Sequence, residues 1–238
     1  MALSLKGRTV LVVGRGSGIA RAVVLAARAE GANVVVAGRS REKLRGAYDD
    51  PGIEAEEVDL NDDTSIAALA ERLGEVDHLV STASARARGH LAELDRAAVL
   101  RSFDTKVVGP IMLAQHFSGR FAPGGSFTLF SGVAAFKPVA GYLGVAATNG
   151  AVDFLTRSLA LEMGPVRVNA ISPGVIDTGI WDALGDAEKK AYFEQLRTRN
   201  PARRIGTVED ISAAVLLAMT NASLTGVTLR VDGGEPLT

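Results

Sequence analysis

Short apolar runs alternate along the chain with longer segments in which apolar residues recur at helical spacing. The runs Val10–Val13 and Val34–Ala37 are apolar at consecutive positions, which is typical of parallel strands covered by helices on both faces. Strands are predicted at 9–14, 33–38, 55–60, 78–84, 126–131, 166–172 and 228–234, and helices at 19–30, 63–73, 95–117, 146–163, within 180–198 and at 208–219. This alternation predicts an α/β fold, a doubly wound parallel sheet of about seven strands with helices on both faces.

Length and composition favour one globular domain over residues 1–238. The chain has 238 residues, of which 47% are hydrophobic and 22% are charged, and single α/β domains of about 200–250 residues are common. The 26 basic and 27 acidic residues give a net charge of −1, so we expect neither nucleic acid nor a membrane as a partner. The chain contains no cysteine, which excludes thiolate chemistry and favours the cytoplasm.

A glycine-rich loop follows the first predicted strand and opens the first predicted helix. Its sequence is Gly14-Arg-Gly-Ser-Gly-Ile-Ala20, which has the spacing GxxxGxG with alanine at the last position. Such a loop presents backbone N–H groups and a helix N-terminus to a pyrophosphate. The pattern predicts a Rossmann-type dinucleotide site, while a plain glycine-rich turn is the alternative. The predicted contacts in this loop are Gly14, Arg15, Ser17, Gly18 and Ile19.

The end of the second predicted strand indicates which dinucleotide binds. An NAD site places a carboxylate there to hold the ribose diol, but this chain has Ala37-Gly-Arg-Ser40. Gly38 leaves room for a 2′-phosphate and Arg39 provides a charge-assisted contact to it. The sequence therefore predicts NADP(H) as cofactor. The alternative is that Arg39 is only a solvated charge beside other basic residues.

These segments resemble the short-chain dehydrogenase/reductase family, and the resemblance extends from Leu5 to Gly234. The glycine loop, the pair Asp59-Leu60, the segment Asn169–Thr178 and the closing Val231-Asp-Gly-Gly234 carry it. The family usually has Asn-Asn-Ala-Gly after the fourth strand, where this chain has Ser-Thr-Ala-Ser at 81–84. The resemblance implies a homodimer or homotetramer. It also implies cofactor contacts at Asp59, Leu60, Thr82, Ala83, Asn149, Pro173, Gly174, Ile176 and Thr178.

The catalytic positions of this family are all changed. Its members use a tyrosine as general acid/base, a lysine four residues later, a serine and an asparagine. With the lead-in Ala140-Gly-Tyr142 as anchor, the tyrosine position is Val145, the lysine position Asn149, the serine position Gly132 and the asparagine position Lys106. No tyrosine of the chain is followed by lysine four residues later. Because a lost general acid typically costs about 10² to 10⁴ in rate, we expect ordinary carbonyl reduction to be lost or severely impaired.

Three residues near these positions are candidate replacements. Lys106 is either a lysine at the edge of the core or a pocket cation. Tyr142 lies one short turn before Val145, and packing at the start of the helix is its alternative role. Ser131 either faces the site or bonds the backbone at the end of a strand. The three histidines lack ligand spacing, so we expect no metal site.

Three functions remain open from the sequence. The first is an NADP(H)-binding sensor, scaffold or non-catalytic subunit. The second is an active NADP(H)-dependent oxidoreductase that acts on an atypical carbonyl or alcohol with relocated groups. The third is a non-redox lyase or isomerase that uses the same cleft. A small-molecule substrate or effector would contact the segments 84–95 and 179–205, which resemble the family least.

Overall fold

The computed structural model describes residues 4–179 and 181–238. Seven parallel strands form one sheet in this part of the chain, in the order β3-β2-β1-β4-β5-β6-β7, which confirms the predicted fold class. The strands are β1 Thr9–Val13, β2 Asn33–Gly38, β3 Ile53–Glu57, β4 Val76–Ser81, β5 Phe121–Phe130, β6 Arg167–Pro173 and β7 Thr228–Val231. The helices are α1 Gly18–Ala29, α2 Arg41–Arg45, α3 Asp63–Leu73, α4 Arg96–Phe103, α5 Gly109–Phe117, α6 Leu143–Glu162, α7 Asp186–Arg199 and α8 Val208–Thr220.

Helices cover both faces of the sheet, and each face has its own apolar core. On one face, α3, α5 and α6 contribute residues such as Leu69, Phe117 and Val152. On the other face, α1 and α8 contribute residues such as Val24 and Ile211. Complete burial of a large apolar side chain stabilises a fold by about 1.5–3 kcal/mol. Neighbouring residues of a strand point to opposite faces of the sheet and pack into different cores, which explains why consecutive residues are apolar.

The strand order reverses at β1. Val13 is paired with Ala37 of β2 on one side and with Ser81 of β4 on the other. The chain therefore leaves β1, β2 and β4 at the same edge of the sheet, where the next segments diverge to opposite faces. Ligands of doubly wound sheets bind in the crevice at such a reversal. The predicted glycine loop lies directly above this point.

Several predicted boundaries are wrong by a few residues. The strand predicted at 55–60 is β3, Ile53–Glu57, because the chain turns at Asp59 and the Asp62 side chain caps α3. The strand predicted at 78–84 ends at Ser81, and the helix predicted at 146–163 already begins at Leu143. The helix predicted at 95–117 is divided into α4 and α5 by a π-helical turn over 104–108. In the described part of the chain, no helix is long and apolar enough to cross a membrane.

Candidate functional site

The glycine loop is packed so closely that side chains would not fit at two of its positions. A Cβ atom at Gly14 would lie 2.1 Å from Thr82 Oγ1, and one at Gly16 would lie 2.5 Å from Ala47 Cβ. Gly18 has φ of +56°, a conformation that favours glycine. The side chain of Ser17, the N-cap residue of α1, makes no capping hydrogen bond. The first-turn N–H groups of α1 are therefore oriented toward the crevice without a side-chain acceptor, as anion binding requires.

The segment after β2 brings a free guanidinium beside this loop. A Cβ atom at Gly38 would lie 2.7 Å from the carbonyl oxygen of Gly14, so only glycine lets the two segments approach. Arg39 is exposed and, among the described residues, has no ion pair or side-chain hydrogen bond. Arg41, two residues later, instead donates to the carbonyl oxygen of Ala55. Arg39 thus remains available to a phosphate at the end of β2.

Four of the predicted cofactor contacts lie beside the glycine loop, after β3 and β4. Thr82 Oγ1 donates to the carbonyl oxygen of Val13 at 3.1 Å, which ties the end of β4 to the end of β1. The Asp59 carboxylate accepts a hydrogen bond from the backbone N–H of Asn61 at 3.0 Å. Leu60 is buried, and Ala83 packs against the core beneath it. These contacts place the four predicted residues, 59, 60, 82 and 83, at the carboxyl edge of the sheet.

The segment after β6 closes the other end of the crevice. A Cβ atom at Gly174 would lie 2.8 Å from Asp232 Cα, so the chain can leave β6 beyond Pro173 only with glycine there. Ile176 is buried and its carbonyl oxygen accepts from Trp181 Nε1 at 3.0 Å. A Cβ atom at Gly18 would lie 3.4 Å from Thr178 Cβ. The segment after β6 therefore contacts the glycine loop.

Three of the four predicted catalytic positions, 106, 132 and 149, adjoin one another. Lys106 Nζ donates to Asn149 Oδ1 and, at 3.1 Å, to the carbonyl oxygen of Ser131. Ser131 Oγ donates to the backbone carbonyl oxygen of Asn149 at 2.9 Å. A Cβ atom at Gly132 would lie 2.8 Å from Asn149 Nδ2. The Asn149 amide is thus held between the amine of Lys106 and the space at Gly132.

Lys106 is a buried amine, and its burial lowers its pKa. The π-helical turn over 104–108 places it against α6, and only 7% of the residue is exposed. Desolvation by burial and, secondarily, the charge of Arg86 lower its pKa to about 7. In the predicted family register, position 106 corresponds to the asparagine and position 149 to the lysine. The Lys106 amine contacts position 149 from a different helix.

Two further candidate positions, 142 and 145, take no part in these hydrogen bonds among the described residues. Val145 is half-buried on the first turn of α6 and offers no proton. Tyr142 is the N-cap residue of α6 and is half-buried. Its ring lies beneath the Arg88 guanidinium, with Arg88 Cζ 4.8 Å from the ring centroid. No hydrogen bond of the Tyr142 hydroxyl occurs within residues 4–179 and 181–238, so Tyr142 is associated with Arg88 rather than with Lys106.

Two predicted substrate segments border the same region. The segment 84–95 contains a short helical turn at Leu91–Glu93. The segment 179–205 is largely helical because it contains α7, and its residue Ile180 lies outside the described residues. Sequence reasoning missed Arg86 and Arg88, whose alternation with alanine in the first segment was the available signal. It also missed that the Trp181 ring packs against Tyr192 in a tilted arrangement, with ring centroids 5.1 Å apart.

The sheet order and the glycine loop at the reversal define a dinucleotide-binding α/β protein. A model of the family described as Enoyl-(Acyl carrier protein) reductase matches residues 13–235. L-xylulose reductase of Mus musculus is 35% identical over 242 residues, covering 98% of both chains. Short-chain dehydrogenase/reductase ucsE of Acremonium sp is 32% identical over 253 residues, covering 97% of this chain and 96% of that protein.

A solved structure extends this comparison. A small-chain dehydrogenase in complex with NADPH has a TM-score of 0.84 and 29% identity, with 98% of this chain and 100% of that chain covered. The chain therefore belongs to the short-chain dehydrogenase/reductase family of oxidoreductases, as its motifs predicted.

Proposed function

We propose that the crevice binds NADP(H). The glycine loop and the first turn of α1 hold the pyrophosphate, and Arg39, assisted by Arg15 and Ser17, holds the 2′-phosphate. The exposed, uncommitted guanidinium of Arg39 beside Gly38 and the absence of a carboxylate at 38–40 support this choice. The NADPH complex of the similar small-chain dehydrogenase supports it as well.

Calorimetric titration with NADPH and with NADH tests the cofactor proposal. We expect NADPH to bind more tightly, and Arg39→Ala to weaken NADPH binding about 10- to 100-fold, as for a lost charge-assisted hydrogen bond. NADH binding by the same variant should be unchanged. Arg45→Ala, which removes an exposed arginine of α2, is the matched control and should leave both affinities unchanged. Equal affinity of the unmodified protein for NADPH and NADH would overturn the proposal.

The function that the site supports best is NADP(H) binding without ordinary tyrosine-dependent carbonyl reduction. A bound NADPH supplies a hydride, but reduction of a carbonyl also requires a proton at the developing alkoxide. Val145 cannot deliver it, and the hydrogen bond from Lys106 to Asn149 carries this proposal because it pairs the side chains at two of the predicted catalytic positions with each other. Such a protein acts as a cofactor-dependent sensor, scaffold or non-catalytic subunit.

One observation favours a second candidate, an NADP(H)-dependent oxidoreductase with a relocated proton donor. Burial brings the pKa of Lys106 to about 7, so its ammonium can release a proton near neutral pH. In this reaction the hydride goes to the carbonyl carbon, the Lys106 proton goes to the carbonyl oxygen, and solvent reprotonates the amine. The reductase names of the relatives agree with this chemistry.

NADPH oxidation separates these candidates. L-xylulose and an aromatic aldehyde serve as test substrates, with transfer of deuteride from labelled NADPH as a direct readout. Turnover that Lys106→Met abolishes, while NADPH binding and turnover by an exposed-lysine control, Lys190→Met, persist, would establish the second candidate. No deuteride transfer from the unmodified protein under saturating NADPH would support the first.

We also propose that the chain forms a homodimer or homotetramer through α6. Phe154 and Leu161 lie seven residues apart on this helix and are 66% and 85% exposed. Residues at this spacing share one helix face, and exposed apolar faces of this kind commonly mark subunit contacts. Sedimentation velocity of the unmodified protein and of Phe154→Glu tests this proposal, since the glutamate should shift the protein to smaller species.

A further inference from the structure

The segment between β4 and the turn at Leu91–Glu93 is fixed against the protein at alternate residues. Ser102 Oγ donates to the carbonyl oxygen of Ala85 at 2.7 Å. Ala87 is completely buried, and a Cβ atom at Gly144 would lie 2.8 Å from its Cβ. The backbone N–H of Gly89 donates to the carbonyl oxygen of Gly141 at 3.0 Å. The segment is therefore clamped against the start of α6, next to position 145.

The two arginines of this segment lie between the clamped residues and reach solvent. Arg86 and Arg88 are both exposed, whereas Ala87 between them is buried. The Arg88 guanidinium covers the face of Tyr142, which holds it at the N-terminal end of α6. Partial burial of the guanidinium, followed by the charge of Arg88, lowers the pKa of Arg86, and Arg15 of the glycine loop adds to this effect. Arg86 is therefore close to other cations.

These positive charges have no acidic partner. Among residues 4–179 and 181–238, no carboxylate lies within 4 Å of Arg86 or Arg88. Lys106 is a further nitrogen base beside Arg86, and its own pKa is lowered partly by that charge. Cations placed together without counterions repel each other, and such clusters at a crevice focus a positive potential on an incoming ligand. This cluster of positive charges destabilises the free protein and favours the binding of an anion.

Aromatic side chains lie near the same arginines. Tyr192 of α7 packs against Trp181, and the ring centroids are 5.1 Å apart. Burial raises the pKa of Tyr192, the charges of Tyr142 and Glu235 raise it further, and the charge of Arg88 lowers it. Tyr192 is therefore near both Tyr142 and Arg88. A ligand there meets both guanidinium groups and aromatic surface.

We infer that the small molecule bound beside the cofactor carries a carboxylate or phosphate, which Arg86 and Arg88 hold while its apolar part contacts Tyr142 and Tyr192. The inference rests on the proposed function in that it assigns a substrate or effector class to the same cleft. Charge-assisted hydrogen bonds from two guanidinium groups are specific for planar carboxylates and for phosphates. A neutral ligand would offer the two guanidinium groups no anionic partner.

Three related aldehydes test this inference in calorimetric titrations of the NADP⁺-saturated protein and of the cofactor-free protein. They are 4-formylbenzoate, its neutral methyl ester, and 4-formylphenyl phosphate. We expect at least one anion to bind about 10- to 100-fold more tightly than the ester, and the stronger of the two identifies the head group. The double variant Arg86→Ala/Arg88→Ala should lose this preference. The double variant with lysine at both positions should retain most of it, and the exposed control Arg96→Ala should retain all of it.

Each outcome decides whether Arg86 and Arg88 belong to a ligand site of their own, to the cofactor site or to neither. Equal affinity of the unmodified protein for ester and anions overturns the inference, as does an unchanged preference in the double alanine variant. If that variant loses NADPH affinity in parallel with anion affinity, the two arginines belong to the cofactor site, and the inference fails while the proposed function stands. If NADPH does not bind but the cofactor-free protein prefers the anion, the proposed cofactor function fails and the anion site stands.

Discussion

Lys106→Met tests whether the amine at the centre of the site is neutral near physiological pH. In the folded protein, burial lowers the pKa of Lys106 to about 7, against an ordinary value of 10.5. Between these values the unfolded chain holds a proton on this amine and the folded chain does not. Since the unfolded state binds more protons, the free energy of unfolding rises with pH in this window.

The magnitude follows from the linkage relation. One lysine that is protonated only in the unfolded state changes the free energy of unfolding by about 1.4 kcal/mol per pH unit. Between pH 7.5 and 9.5 the unmodified protein should gain about 3 kcal/mol relative to Lys106→Met, which lacks the titrating group. The methionine also leaves Ser131 and Asn149 oxygens without their donor, a cost of about 1–3 kcal/mol for each buried group. That cost is independent of pH and shifts the curve without changing its slope.

Urea unfolding at a series of pH values measures this difference. Subtracting the free energies of the two proteins at each pH removes the contributions of other titrating groups. Lys190→Met, which removes an exposed lysine of α7, is the control for the loss of a charge. A difference between the unmodified protein and Lys106→Met that stays constant from pH 7.5 to 9.5 would refute the argument, because the amine would then keep its proton in the folded state.

Three other substitutions have defined expected effects. Gly132→Ser should lower the free energy of unfolding by about 1–3 kcal/mol, because its Cβ atom would lie 2.8 Å from Asn149 Nδ2; urea unfolding in an Asn149→Ala background should show the cost relieved. Gly38→Ala should destabilise by a similar amount and weaken NADPH binding in calorimetry, since its Cβ atom would lie 2.7 Å from the Gly14 carbonyl oxygen. Thr207→Ala should cost about 1 kcal/mol in urea unfolding, because the Thr207 hydroxyl accepts a backbone N–H in the first turn of α8, and Thr207→Ser should retain most of the stability.

The fold and the cofactor end of the cleft could be predicted because their signals are local in sequence. A strand, a glycine loop and a helix follow one another within residues 9–29, and consecutive apolar residues mark each strand as buried on both faces. The ends of helices and strands were less predictable where a side-chain hydrogen bond determines them. Asp62 ends the turn before α3 by capping the helix, and no apolar pattern reports such a hydrogen bond. The extent of the domain, residues 1–238, stays a prediction.

The contacts around Lys106 were only partly predictable from the sequence. The predicted family register names positions 106, 132, 145 and 149, which stay a prediction, and a register does not show contacts between residues 43 positions apart. The hydrogen bond from Lys106 to Asn149 depends on the π-helical turn that rotates the lysine toward α6. Arg86 escaped notice for a similar reason, since its importance arises from neighbours on other segments.

The contacts at these positions make the changes interdependent. Asn149→Lys alone would replace the acceptor of the Lys106 hydrogen bond with a second amine, and two adjacent buried amines cannot both hold a proton without repulsion between like charges. Gly132→Ser alone meets the Asn149 amide, and Val145→Tyr alone supplies a phenol without the lysine that lowers its pKa in the family. Each single step back toward the family pattern is therefore unfavourable while the other residues remain. We therefore predict that tyrosine-dependent reduction is gained only when Lys106→Asn is combined with Gly132→Ser, Val145→Tyr and Asn149→Lys, because the side chains at positions 106, 132 and 149 adjoin one another.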